Sequence, residues 1–247
     1  MSATCHRCGE SLPPQGRFCG ACGAATRGHA REVAAKTHRE REQVTRAAGA
    51  LGLVVLITLA GLVLGPRLLG ERDEGSWSAM LIGAAAVFGA ALVAGLVDGP
   101  LRASWPLATR PIWVLVALPA ALVTLGAAHV YLGLLTQGAT DPGREHVEAT
   151  TAMWIAVVVL APLGEEWLCR GVAWRSAVTL SSPRTALLLT AILFAFLHGL
   201  GGGYLLELPH RFAMGLVAGW LRWQSGSLLP GIVVHAVHNF VAITWLG

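Results

Sequence analysis

Long runs of apolar residues, separated by short polar segments, follow one another from residue 47 to the end of the chain. A helix needs about 20 mostly apolar residues to cross the hydrocarbon core of a bilayer. The pattern therefore predicts an all-α polytopic membrane protein with about seven transmembrane helices. The predicted spans are roughly 47–65, 78–98, 111–136, 152–179, 185–206, 209–223 and 227–246.

Composition agrees with a membrane environment. Apolar residues make up 54% of the 247 residues, charged residues only 13%, and the mean hydropathy is +0.60, which excludes an ordinary soluble domain. The net charge of +4 does not indicate a nucleic-acid partner, because the basic residues concentrate in one segment before the first apolar run. The expected surroundings are membrane lipids.

The first 25 residues form a separate, cysteine-rich segment. The stretch CHRCGESLPPQGRFCGACG holds two C-x2-C pairs, each followed by a glycine, Gly9 or Gly23, where a tight turn requires a positive φ. Four thiolates at this spacing favour tetrahedral zinc, and two disulfides or reactive thiols are the alternative. We predict a small zinc ribbon over residues 1–25, with a structural zinc ion that supplies its folding free energy. The predicted ligands are Cys5, Cys8, Cys19 and Cys22.

Residues 26–46 form a charged, helix-prone linker that is rich in arginine. A basic segment next to an apolar run marks the cytoplasmic side of a membrane protein. The ribbon is therefore predicted to lie in the cytosol, where its thiols stay reduced and where it meets a partner that the sequence does not identify. The loops at 66–77 and 137–151 are mixed or acidic and are predicted to be exported.

Two adjacent carboxylates interrupt the fourth apolar run, in the stretch APLGEEWLCRGVAW. An ionised side chain at the bilayer centre costs about 2.5 to more than 10 kcal/mol, so such a cluster indicates function. On a helix Glu166 and Arg170 share one face, whereas Glu165 is rotated by about 100° and faces another surface. Glu166 and Arg170 are therefore predicted to support the site as a pair, which leaves Glu165 available for chemistry.

Two later runs carry candidate partners for Glu165. Phe194 and His198 are four residues apart on one helix, and His235 and Asn239 are four residues apart on the last. At 1.5 Å per residue all these groups fall near the middle of a hydrocarbon core about 30 Å thick. Glu165 and His198 are predicted to activate a water molecule, and His235 and Asn239 to donate hydrogen bonds to the oxyanion that forms.

The three patterns together resemble the motifs of the CPBP family of intramembrane endopeptidases, which includes the type II CAAX prenyl endopeptidases. E-E-x-x-x-R lies at 165–170, F-x-x-x-H at 194–198 and H-x-x-x-N at 235–239. The resemblance implies a peptidase core over 110–247, preceded by two transmembrane helices within 47–109. It also implies that Glu165, His198, His235 and Asn239 are the catalytic residues.

The family further implies cleavage near the C-terminus of a protein substrate that has a C-terminal transmembrane or lipid-associated segment. A ribbon joined to this core is similar in architecture to the myxosortase branch, which is proposed to process C-terminal sorting signals of exported proteins. The implied location is the bacterial inner membrane. A CAAX-type prenyl-protein endopeptidase is the nearest alternative, and a non-catalytic scaffold or immunity protein is another.

Further alternatives concern the site itself. Intramembrane histidines also join helices by hydrogen bonds, and His238 competes with His235 for the same role. One glutamate and two histidines could ligate a catalytic zinc ion with an open fourth position. However, the chain has no H-E-x-x-H pair and asparagine is a poor zinc ligand, so we expect no metal in the active site.

The charge pattern generates a prediction of topology. Seven spans change sides an odd number of times, so the N-terminus should be cytosolic and the C-terminus exported. Reporter fusions at residue 25 and residue 247 should report opposite sides. Both ends on one side would contradict the predicted number of spans.

Overall fold

The computed structural model describes residues 4–12, 16–69, 77–136, 150–198 and 205–246. These residues are helical apart from turns and two isolated β-bridges near the N-terminus, which confirms the predicted all-α class. The chain divides into two units, Met1–Thr45 and Arg46–Gly247. Parts of both predicted exported loops, residues 70–76 and 137–149, lie outside the described residues.

The N-terminal unit begins with two similar cysteine turns. In the first, the Gly9 N–H donates to the Cys5 carbonyl over 2.9 Å, and in the second the Gly23 N–H donates to Cys19 over 2.9 Å. Both glycines have a positive φ, 77° and 70°, as predicted from their place after each C-x2-C pair. Each glycine lets the chain turn back sharply, so that both cysteines of a pair face the same point.

The second unit is a bundle of helices, most of which coincide with a predicted span. The hydropathy of four segments is sufficient for a membrane span: Arg27–Ala60, Leu81–Asp98, Pro111–Leu135 and Thr151–Leu180. Two apolar helices, Pro183–His198 and Leu229–Thr244, are shorter. The helices are α1 (Arg27–Leu69), α2 (Trp77–Asp98), α3 (Leu101–Ser104), α4 (Pro111–Thr136), α5 (Thr151–Leu180), α6 (Pro183–His198), α7 (Leu208–Ser225) and α8 (Leu229–Leu246).

Helix α5 is not a regular α-helix throughout. Its turns widen to the π form at Ile155–Leu160 and at Trp167–Ala173, on either side of the two glutamates. Such π turns are rare and occur frequently at functional sites. The regular segment between them, Ala161–Glu166, presents both carboxylates to neighbouring helices.

Close packing fixes α5 against its neighbours. A side chain at Gly171 would overlap the carbonyl oxygen of Ser104, so only glycine permits this approach of α5 to α3. Trp167 donates its Nε1–H to the Ser104 hydroxyl over 3.1 Å at the same contact. A second anchor is polar, since Arg175 pairs with the carboxylate of Asp98 at the end of α2. These contacts hold the helix that carries the glutamates.

Candidate active site and metal centre

Three acid–base side chains from three helices meet in the second unit. The Nε2 atom of His198, on α6, lies 3.5 Å from Glu165 Oε2, on α5. The Nε2 atom of His235, on α8, lies 3.7 Å from the same oxygen. One ligand atom from each residue lies within 4.8 Å of the others. The structure thus brings together three of the four residues predicted to be catalytic.

The hydrogen bond of His198 to its own helix defines which ring nitrogen faces Glu165. His198 Nδ1 is 2.9 Å from the Phe194 carbonyl oxygen, which can only accept a hydrogen. Nδ1 therefore carries the hydrogen, and in the neutral imidazole Nε2 is an acceptor. Glu165 Oε2 has no hydrogen-bond partner among the described residues. Two acceptors that face each other at 3.5 Å are suited to receive both hydrogens of one water molecule.

Phe194 supports both histidines. Its ring, which is fully buried, lies 4.5 Å from the His198 ring and 5.2 Å from the His235 ring, measured between centroids. The Arg170 guanidinium carbon lies 4.4 Å from the centre of the same ring, within the range of a cation–π contact. The phenylalanine of the F-x-x-x-H pattern therefore sets the orientation of the two imidazoles.

Glu166 and Arg170 form the predicted pair and are completely buried. Arg170 Nη1 donates to Glu166 Oε1 over 3.0 Å, and its Nη2 donates to the Gly215 carbonyl over 2.9 Å. Arg222 donates its Nε–H to the Arg170 carbonyl over 3.0 Å. This carbonyl lies in the second π segment, where the altered backbone pattern leaves it able to accept from a side chain. A side chain at Gly231 would approach Glu166 Oε2 to 2.8 Å, so a larger residue at this position on α8 would have to displace the carboxylate.

His235 lies between the two glutamates, an arrangement that the sequence analysis missed. Its Nδ1 is 3.4 Å from Glu166 Oε1, while its Nε2 faces Glu165. Each ring nitrogen thus faces a different carboxylate, at a distance at which neither makes a hydrogen bond among the described residues. Adjacent helix positions point about 100° apart, so one imidazole can enter the angle between them, and this spacing was the available signal.

The structure separates His235 from its competitor and places Asn239 in a different contact. His238 Nδ1 lies 3.4 Å from the Thr124 hydroxyl, and His238 is not among the three residues that meet at Glu165. Asn239 donates its Nδ2–H to the Val157 carbonyl, in the first π segment, over 2.7 Å. A carboxamide nitrogen has two hydrogens, so a second donor remains.

Comparison with known protein families agrees with this geometry. Residues 147–241 match the model of the type II CAAX prenyl endopeptidase Rce1-like family. Because it is similar to that family, we refer to this stretch as the Rce1-like segment. It contains all three motifs, and it confirms the resemblance drawn from them at the level of the family, which is one of intramembrane endopeptidases. No curated protein and no solved structure matches the chain.

The Rce1-like segment also has a donor set that suits a metal ion. Glu165, His198 and His235 offer one carboxylate oxygen and two imidazole nitrogens. Catalytic zinc sites use such a set, with the fourth position left for water. The expectation of metal-free catalysis therefore stays a prediction, and metal analysis must distinguish this centre from the ribbon.

The ribbon presents the second donor set. The Sγ atoms of Cys5 and Cys22 are 3.7 Å apart, those of Cys8 and Cys19 are 3.6 Å apart, and all four atoms lie within 4.8 Å of one another. These cysteines are free, and four thiolates around one point could hold a metal ion in tetrahedral geometry. When bound, such an ion would join the two cysteine turns.

The thiols of the ribbon already differ in acidity. The backbone N–H groups of Arg7 and then Cys8 lower the pKa of Cys5 to about 6. For Cys8 the N–H of Glu10 is the largest influence and lowers the pKa, but hydrogen bonds with Cys22 and the other thiols, together with burial, raise it to about 12. Cys5 is therefore the more acidic of these two thiols.

Zinc content provides the first structural test. We expect the full-length protein to bind about one zinc ion, because a shell of four thiolates is closed. The double substitution Cys8→Ser with Cys19→Ser should abolish the binding, whereas Cys169→Ser, at the buried cysteine of the second unit, should not. Elemental analysis of the purified variants measures this. Zinc retained after loss of both ribbon cysteines would place it at Glu165, His198 and His235.

The buried ion pair yields a prediction on stability. Glu166→Gln leaves Arg170 without its charged partner in an apolar interior, a loss of about 3 to 5 kcal/mol. The double change Glu166→Gln with Arg170→Gln should recover part of this loss, because it leaves no unpaired charge. Thermal unfolding in detergent measures both. A double variant less stable than Glu166→Gln would show that Arg170 stabilises the bundle mainly through Gly215 and Phe194.

Proposed function

We propose that the protein hydrolyses a peptide bond near the C-terminus of membrane-associated or exported proteins, as an intramembrane endopeptidase of the bacterial inner membrane. The observation that carries the proposal is the meeting of Glu165, His198 and His235 within the Rce1-like segment. Glu165 Oε2 has no hydrogen-bond partner among the described residues, and the hydrogen bond of His198 to Phe194 uses Nδ1, so that Nε2 faces the carboxylate.

The proposed reaction begins with one water molecule between Glu165 and His198. Its two hydrogens point to the carboxylate and to Nε2, so an oxygen lone pair is directed away from both, towards a substrate carbonyl. Attack transfers a proton to Glu165 and forms a tetrahedral intermediate with a negative oxygen. Collapse of the intermediate breaks the C–N bond, and the proton on Glu165 passes to the departing amine.

The negative oxygen requires hydrogen-bond donors. His235 and the second N–H of Asn239 are the proposed donors, one turn apart on α8. The bond from Asn239 to Val157 holds the carboxamide in a fixed orientation, which reduces the reorganisation needed during the reaction. The proposed donor is the Nε2–H tautomer of His235, whose Nδ1 lies 3.4 Å from Oε1 of Glu166, the carboxylate that is paired with Arg170.

The proposed function has two versions, which differ in the substrate that is cleaved. In the first, the protein processes C-terminal sorting signals, with zinc in a cytosolic ribbon that recruits an unidentified partner. In the second, it cleaves prenylated proteins, which the description of the matching family favours. Cleavage of one peptide with and without a prenyl group distinguishes the two, since only the second version requires the lipid.

The test of the proposed function removes the proton acceptor. Glu165→Gln keeps the shape of the side chain, so protein abundance should change little, but hydrolysis should fall by about two to four orders of magnitude. The C-termini of membrane proteins are compared between cells with the intact protein and cells with the variant. A substrate that accumulates uncleaved in the variant cells is then incubated with the purified protein, and its single-turnover cleavage rate is measured.

Glu166→Gln is the matched control for this substitution. If Glu165→Gln cleaves normally while a folded Glu166→Gln is inactive, Glu166 is the catalytic carboxylate. If both variants fold and leave all C-termini unchanged relative to the intact protein, the scaffold function replaces the peptidase.

A further inference from the structure

The first π segment of α5 leaves one backbone carbonyl without a partner in its own helix. A carbonyl accepts from the N–H of residue i+4 in a regular α-helix and from that of residue i+5 in a π turn. The Ala161 N–H donates to the carbonyl of Ala156 and so bypasses Val157, whose i+4 partner it would be. The i+5 partner of Val157 is Pro162, which has no N–H. The Val157 carbonyl therefore requires a donor from outside the helix.

The second π segment ends in a similar way. The N–H of Trp174 donates to the carbonyls of Cys169 and Gly171, which lie on either side of Arg170. The Arg170 carbonyl is thereby bypassed by its i+4 partner. Arg170 is fully buried and Trp174 is only 6% exposed, so solvent does not readily supply another donor. A buried carbonyl without a partner is unfavourable, and nearly all such groups in native proteins are hydrogen-bonded.

Each bypassed carbonyl accepts a hydrogen bond from a side chain of another helix. Asn239, on α8, donates its Nδ2–H to the Val157 carbonyl over 2.7 Å. Arg222, in the last turn of α7, donates its Nε–H to the Arg170 carbonyl over 3.0 Å. The same arrangement thus occurs at both π segments, and it satisfies the backbone group that the wider turn leaves over.

Loss of the Arg222 donor would favour a different hydrogen-bond pattern in α5. The Arg170 carbonyl would most simply regain a partner by accepting from Trp174, an exchange that narrows the π turn to the α form. Glu165 precedes this turn, whereas Arg175, which pairs with Asp98, follows it. A narrower turn would therefore change the direction of Glu165 relative to the anchored end of the helix.

We propose that Arg222 is a positioning residue for the peptidase reaction, an inference that rests on the proposed function. Arg222 takes no part in the proposed proton transfers. It acts through the Arg170 carbonyl, which keeps the second π segment wide and so keeps Glu165 directed at the two histidines. Asn239 supports the first π segment in the same way, but its second N–H is also a proposed oxyanion donor. Arg222 therefore offers the cleaner test.

Two substitutions separate the hydrogen bond of Arg222 from its charge. In Arg222→Gln the amide nitrogen stands at the position of Nε along the side chain and keeps an N–H donor, whereas in Arg222→Met a methyl group stands there. Both variants lack the positive charge. Arg222→Met should lower kcat about 10- to 100-fold with little change in KM, because the carboxylate is misplaced while the substrate contacts remain. Arg222→Gln should restore kcat to near the wild-type value.

The kinetic probe is a short fluorescent peptide, chosen from a library with randomised final positions as the one that the full-length protein in detergent cleaves fastest. Arg184→Met, at an exposed arginine near the start of α6, is the matched control and should keep the wild-type kcat. A wild-type kcat in Arg222→Met would overturn the proposal. Equal losses of kcat in the Gln and Met variants would also overturn it, because the charge or the bulk of the arginine would then matter. If Arg222→Met does not fold, Arg222→Asn replaces it, since its amide is one methylene too short to reach the carbonyl.

Nuclear magnetic resonance tests the hydrogen bond without any cleavage. Labelling arginine with carbon-13 at the carbonyl and glycine with nitrogen-15 selects Arg–Gly peptide bonds, which occur at Arg27–Gly28 and Arg170–Gly171. An Arg27→Lys background removes the first signal. The Arg170 carbonyl signal should move in Arg222→Met and stay in place in Arg222→Gln, even if the protein cleaves no peptide. An unmoved signal in Arg222→Met refutes the role of Arg222 even if the protein is an active peptidase.

Discussion

The ion pair between Glu166 and Arg170 is the interaction on which the rest of the catalytic region depends. Two charges without solvent exposure are tolerated only if each has a charged or hydrogen-bonding partner. Arg170 finds these partners on Glu166, on the Gly215 carbonyl and on the face of Phe194, while Glu166 also faces His235. The requirement to neutralise one buried charge thus ties α5 to α6, α7 and α8.

The pair of Glu166 and Arg170 also determines the positions of the proposed catalytic residues. Glu165 is the next residue to Glu166 on a short regular segment between two π turns, so its direction is set once Glu166 is fixed. The same carboxylate faces one nitrogen of His235, and the same phenylalanine ring supports both imidazoles. A substitution at Glu166 therefore perturbs stability and catalytic geometry together, whereas one at Glu165 acts mainly on the chemistry.

The sequence predicted those features that depend on spacing along one helix or one turn. The helical class follows from apolar runs, the pairing of Glu166 with Arg170 from their separation of four residues, and the turns of the ribbon from the glycines after each cysteine pair. Contacts between different helices could not be predicted from the sequence in this way. That His235 touches both glutamates, or that Asn239 donates to Val157, depends on which faces pack and on the π turns of α5, and neither follows from periodicity.

Helix α5 has two π segments, Ile155–Leu160 and Trp167–Ala173, on either side of the glutamates. A π segment has i→i+5 hydrogen bonds, so its turns contain more residues than regular α-helical turns. Loss of one residue from either segment would restore the regular i→i+4 pattern and rotate the helix beyond it by about 100°. The directions of Glu165 and Glu166 relative to the rest of the bundle thus depend on the number of residues in α5 as well as on their identity.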